Sequence, residues 1–220
     1  MSSSSTPARG RPSRIDRAHT VQTALDLLDQ SGLDALTMRR LAGAMGVQAG
    51  ALYRYYATKQ ELLTAMSEQM MEGVVVTAAG GDISWSERLT ALAHALRNAL
   101  LAHRDGARVF AGTHSTGAGV LGFADTLVGV LREAGFSGDD AARTLYTVAN
   151  FTVGHTLEEQ AATAPEEGDQ TGAERLRSAV MSGSDYPHLK GTLATLASTD
   201  FDRNFEFGLG LLIEGLKARR

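Results

Sequence analysis

The stretch TMRRLAGAMGVQAGALYRYYATKQELL, residues 37–63, decides the fold. It holds three of the chain's five tyrosines, Tyr53, Tyr55 and Tyr56, with Arg54 among them, directly after the small residues Ala49, Gly50 and Ala51. A helix points successive side chains in different directions, so one core does not take so many phenols in a row. Thr37 is placed to N-cap a short helix whose Leu41 and Met45 face inward and which Gly46 ends. The spacing predicts a further short helix from Gln48 to Tyr55. Thr58 and Glu61, three apart, read as a capping box for a longer helix carrying Leu62, Leu63, Met66 and Met70. Two short helices joined by "MGV" match a helix-turn-helix.

Working outward, Val21, Leu25 and Leu28, with Ala18 before them, form a helical stripe that ends near "QSGL". C-terminal to the motif, the helix begun at Thr58 is expected to reach Val76. Residues 86–103 carry Leu89, Leu92, Leu96 and Leu100 at helical spacing, followed by a turn at "HRDG" and a short "ARVFAG" piece. Residues 118–134 end in a glycine cap at Gly135. Residues 139–162 form a long helix, 163–187 a polar loop around one short helix near Glu174, and residues 200–218 a closing apolar helix with a basic end. No strand alternation is present, so the fold class is all-α. The expected organisation is a flexible basic tail over residues 1–14, a three-helix helix-turn-helix domain over 15–64, and a larger helical domain over 65–220.

Composition narrows the function. The 220 residues are 43% hydrophobic, enough for a sizeable core. No apolar run reaches the roughly 20 residues that span a bilayer, and "MSSSSTPARGRPSR" lacks the apolar segment of a secretory signal. The chain has no cysteine, which excludes disulfides and thiolate-bound zinc. A cytoplasmic protein is expected. The net charge of −4 hides an asymmetry: residues 1–60 hold eight basic and four acidic side chains, the remainder 13 and 21. A basic unit tethered to an acidic body suits a polyanion binder with a second function.

The helix-turn-helix gives each residue a task. The major groove of B-DNA, about 12 Å wide, admits one helix by its N-terminal residues. Ala49, Gly50 and Ala51 let that backbone come close, and Gln48 can offer its amide to adenine. The Tyr53 and Tyr55 hydroxyls and Lys59 can reach phosphates and fix register. Thr37 and Arg39, at the start of the preceding helix, are within reach of the backbone or a base. Tyr56 and Leu52 then pack inward. In the tail, "RGRP" is similar to the core of minor-groove AT-hooks, so Arg9, Arg11 and Arg14 are further candidates for the narrow A·T groove.

Residues 37–63 resemble the DNA-binding domain of the TetR family of repressors. "HRDGARVFAGT", "EAGFSGDDAARTLYTVANFTVGHTLEEQ" and "FEFGLGLLIEGL" are similar to the tetracycline-repressor type of C-terminal domain. The resemblance implies a homodimer built on residues 138–162 and 200–218, and a small-molecule inducer held in the body. Where tetracycline repressors place an asparagine and histidines on drug and magnesium, the aligned positions are Leu92, Phe110 and Val75, while Thr113 and Glu158 are retained. One carboxylate without an aligned imidazole is a poor site for a magnesium chelate. The inducer is therefore expected to be mainly apolar, lined by Leu92, Leu96, Phe110 and Leu145 and anchored by Thr113, His114, Asn150, His155 and Glu158. No cofactor is expected, and residues 110–122 are the expected moving part.

Two motifs point elsewhere. "GAGVLG", residues 117–122, matches G-x-G-x-x-G, but that fingerprint works only between a strand and a helix. "HTLEE" sets His155 one turn from Glu158 and Glu159, the basis of an alternative reading as a helical-bundle metal protein or enzyme. A DNA-binding regulator without any small-molecule ligand is the other alternative.

Overall fold

A computed structural model describes residues 16–74, 83–163, 171–182 and 186–219. Among them there is no strand, and the elements are α1 (Arg17–Ser31), α2 (Met38–Ala44), α3 (Ala49–Leu52), α4 (Lys59–Met71), α5 (Trp85–Leu101), α6 (Gly106–Ala111), α7 (Ala118–Glu133), α8 (Gly138–Thr163), α9 (Gly172–Ser182), α10 (Pro187–Leu196) and α11 (Phe201–Lys217).

Local chemistry sets the ends of the helices that carry the site. Asp16 caps α1 through its carboxylate, and Thr37 Oγ1 accepts from the Arg40 amide at the start of α2. Gly46 ends α2 with φ +65°, a left-handed conformation that suits glycine. The Val47 amide donates to Ala42 O and the Gly46 amide to Gly43 O, the double closure of a Schellman turn. Thr58 Oγ1 caps α4 by accepting from the Glu61 amide, while Glu61 reaches back one residue further than expected, to the Ala57 amide at 2.8 Å. Ser84 and Glu87 form a complete capping box on α5.

Apolar side chains gather into two clusters. The first joins Val21, Leu25 and Leu28 of α1 to Leu41, Leu52, Tyr56, Leu62 and Met66, and takes in Val109 from α6. The second joins Met71 and Val74 to α5, α7, α8 and α11, centred on Leu92, Leu96, Leu127 and Phe205. The helix α4 therefore contributes to both clusters, Leu62 and Met66 at one end and Met71 at the other. Gly208 lets α11 approach α8, since a Cβ there would lie 2.5 Å from the Phe151 ring.

Four expectations are corrected. The helix expected to read DNA, α3, is a single turn ending at Leu52, with Tyr53 as its C-cap, so the aromatic run lies on the turn that follows. The helical residues of α4 stop at Met71, with Gly73 at φ +82°; Val75 and Val76 lie outside the described residues, as do Arg9, Arg11 and Arg14. Ala18 is exposed rather than part of the buried stripe of α1. The helix α10 has no counterpart in the sequence reading.

Candidate functional site

The head presents α3 outward. Gln48 and Gly50 are exposed, Ala49 and Ala51 half-buried, and a Cβ added at Gly50 would meet nothing within 4 Å. The neighbouring phenols divide: Tyr53 is 50% exposed, Tyr55 is half-buried against the head core, and Tyr56 is 4% exposed. Leu52 is fully buried, so Leu52 and Tyr56 anchor the turn as expected. Burial holds the Tyr56 phenol above its ordinary pKa. Arg17 braces the same turn, donating to Tyr55 O at 2.9 Å with its guanidinium over the Tyr56 ring. Thr37 and Arg39 are exposed at the start of α2. Lys59 is half-buried and donates from Nζ to Leu33 O at 3.2 Å, so it also ties α4 to the α1–α2 turn.

Two of the five carboxylates in residues 15–64 are turned toward the body. Asp29 accepts from the Arg104 amide at 2.9 Å and lies 3.0 Å from His103 Nδ1. Asp34 pairs with Arg108 at 3.0 Å, and that hydrogen bond and charge hold its carboxyl below the ordinary carboxylate range. Asp105, left-handed at φ 57°, accepts from the Leu33 amide at 2.8 Å. The "HRDG" turn thus clasps the α1–α2 turn. With these carboxylates engaged there, Arg39, Arg40 and Arg54 are exposed near α3. Positive charge beside a bare helix turn suits a polyanionic duplex.

A cavity of about 540 Å³ lies in the body between α4, α5, the α6–α7 segment and α8. Leu96, Phe110, Thr113, His114, Leu145 and Asn150, six of the nine residues expected at a ligand, line it. Phe123, Tyr146 and Val153 add apolar wall, and no aspartate, glutamate, lysine or arginine is among the described lining residues. Ser67 of α4 lines it too; its hydroxyl is buried without a hydrogen-bond partner.

Leu92, His155 and Glu158 do not line this cavity. Leu92 is 1% exposed within the body core, one turn from Leu96. Along α8, Leu145, Ala149, Asn150 and Val153 share the cavity face, whereas a helix advances about 100° per residue and carries His155 to another side. His155 packs edge-on against Phe201 and Phe205, its Nδ1 3.9 Å from Glu159. Burial first, then the Arg97 charge, keep its imidazole below the ordinary pKa. Arg97 itself is 5% exposed, bidentate to Glu159 at 2.8 and 2.9 Å and paired with Asp202 at 2.7 Å. Glu158 is exposed. Among the described residues no group of three or more His, Cys, Asp or Glu side chains could hold a metal ion.

Ser67, Phe123, Tyr146 and Val153 were missed as lining residues. Val153 had a signal, three residues on from Asn150; Ser67, between Met66 and Met70 on α4, had none.

Comparison with known proteins agrees with this geometry. Residues 21–66 match "Bacterial regulatory proteins, tetR family" and residues 78–220 match "Tetracyclin repressor-like, C-terminal domain". The chain is 40% identical over 201 residues to the tetracycline repressor protein class A from transposon 1721 of Escherichia coli, covering 91% of this chain and 89% of that one. It is similar to a solved structure of a possible TetR family transcriptional regulator from Streptomyces coelicolor A3(2), with 66% identity, TM-score 0.86, 93% of this chain and 100% of that chain covered. A structure of BioQ with its double-stranded DNA operator is 28% identical with TM-score 0.68, covering 93% of this chain and 99% of that one. The chain belongs to the TetR family, whose members are transcriptional regulators rather than enzymes.

Proposed function

We propose that this regulator acts in the cytoplasm as a homodimeric repressor, binds a palindromic operator through α3, and is released by an uncharged, mainly apolar ligand in the cavity between α4 and α8. One observation carries the reading: α4 both anchors the head and walls the cavity, so contents of the cavity bear on the element that carries α3. The shoulder of Gln48, Ala49, Gly50 and Ala51, open at Gln48 and Gly50, is the base-facing part. Tyr53, Tyr55, Lys59, Thr37 and Arg39 reach phosphates around it, with Arg9, Arg11 and Arg14 entering the adjacent minor groove. The known operator complex of BioQ, with the same fold, supports the docking.

Dimerisation is supported by apolar side chains left open on two helices: Tyr146 on α8 is 69% exposed, and Phe207 and Leu211 on α11 are 70% and 61% exposed. A second copy laid along these helices brings two heads to one duplex, about one or more helical turns apart. Binding energies are linked: a ligand that favours a wrongly spaced pair of heads weakens operator binding by the factor by which the operator weakens ligand binding.

The class A relative is named for tetracycline, but no carboxylate for a magnesium chelate is among the described lining residues. Aromatic and aliphatic walls with Thr113, His114 and Asn150 as polar anchors suit a neutral polycyclic compound. Selection from a random duplex pool supplies an operator, and thermal-shift screening of uncharged polycyclic compounds supplies a ligand. The compound that raises the melting temperature should release the duplex without magnesium. Release that requires magnesium, or stabilisation with no weakening of duplex binding, contradicts the reading.

A further inference from the structure

Two glycines of "GAGVLG", Gly117 and Gly119, find their use against α4. The carboxylate of Glu68, half-buried on α4, sits over the N-terminus of α7 and accepts from the Gly117 amide at 3.2 Å, the Gly119 amide at 3.2 Å and the Ser115 hydroxyl. A Cβ on Gly117 would fall inside that carboxylate, and one on Gly119 would lie 3.1 Å from the Met71 Cβ. Small residues at both positions are what let α7 end-on meet α4. An open helix N-terminus with bare amides attracts an anion; here the chain supplies its own, from the helix that carries the head.

The same helix holds the other end of the segment. Gln60 Nε2 donates to Gly112 O at 2.6 Å, and Gln60 and Glu68 stand eight residues apart, about 12 Å along α4. Residues 112–117 are thus strapped to α4 at both ends, and between the straps Thr113, His114, Ser115 and Thr116 line the cavity. Ser67, next to Glu68, lines it from α4 itself.

We infer that Glu68 is the positioning residue that transmits cavity occupancy to the DNA-reading head, by holding the cavity's loop and the α7 N-terminus to α4. The inference rests on the ligand-responsive reading above and assigns its coupling to one carboxylate. A ligand drawing residues 113–116 toward itself pulls the α7 amides off Glu68. The helix α4, freed at that point, no longer holds α3 in its operator-competent position.

Two variants remove the tether differently. Glu68→Gln keeps the side chain's size but loses its charge and half its accepting capacity. Gly117→Ala keeps the charge and displaces the carboxylate; φ −75° and ψ 173° at Gly117 suit alanine. Each variant, folded by circular dichroism, is measured on the duplex selected by the wild type. Expected is a fall in affinity of about tenfold or more in both, within the roughly 5–150-fold range typical of coupling between sites.

Distances are read separately. The chain has no cysteine, so nitroxides at Gln22→Cys on α1 and Asp125→Cys on α7, both exposed positions, report head-to-body separation in chains diluted with unlabelled protein. The distance distribution should shift or broaden in both variants. A purely structural tether would lower the melting temperature while leaving distances and operator affinity at wild-type values, and that result overturns the inference. If the wild type selects no duplex, the operator reading itself fails, and the inference with it.

Discussion

Gly50 separates the demands of folding from those of duplex contact. It is exposed on the single turn of α3, and an added Cβ would meet nothing within 4 Å. In the free protein Gly50→Ala therefore costs no packing and removes a flexible residue from a helix, a change worth about 0.4–1 kcal/mol of stability. In a chain of this size that raises the melting temperature by about 1–4 °C, at roughly 2–4 °C per kcal/mol. On the operator the sign reverses, because the new methyl stands between the α3 backbone and the base edges. Contacts forfeited there are worth about 1–3 kcal/mol each, roughly 5- to 150-fold in affinity. Gly50→Ala should fall at the low end and Gly50→Gln, which adds a long side chain into the same open space, at the high end. Scanning calorimetry gives the first quantity and fluorescence anisotropy on the selected duplex the second. Variants that bind as well as wild type would refute the placement of α3 against the groove.

Asp105→Ala should lower stability by about 1–3 kcal/mol, since it leaves the Leu33 amide without its acceptor; Asp105→Asn, which keeps an acceptor and tolerates φ 57°, should lose less in a denaturant titration. Ala149→Trp should fill part of the cavity of about 540 Å³, abolishing the thermal shift from the screened ligand while leaving operator affinity within about twofold of wild type, a change of only ~0.4 kcal/mol. For His155 the sign follows from its lowered pKa: the folded chain favours neutral imidazole. That stability is present above the ordinary value of 6.5 and is lost as pH falls through the folded value. Melting curves between pH 7.5 and pH 5 should show a steeper acid loss in wild type than in His155→Phe, where the ring packing among Phe151, Phe201 and Phe205 is kept.

The head was legible because its local signals agree. Thr37, Gly46, Thr58 and Glu61 each do at a helix end what the residue type favours, and the apolar stripe of α1 points one way. The body's helices were legible where an apolar face is buried. The exception is α10: none of its residues is buried, Gly191 interrupts it, and Leu189 and Leu196 are exposed. Without a buried face there is no periodicity to read.

The cavity was legible in part, for a geometric reason. Resemblance supplied residue positions, and six of them do meet around one space. It could not say that Arg97 draws Glu159 into a buried ion pair, or that phenylalanines enclose His155 on another side of α8. Those depend on which helices stand opposite α8, information that no spacing along α8 contains. Ser67 and Glu68 were illegible for the same reason: their roles are set by a loop some fifty residues away in sequence.

Dimethyl sulfate footprinting of the selected duplex tests the central claim most directly, because it reports guanine N7 in the major groove. The account predicts protection in two half-sites, about one helical turn or a multiple apart, with protection lost from both in Gly50→Gln. Protection that is unchanged in that variant, or N7 positions left fully reactive under saturating protein, would contradict it.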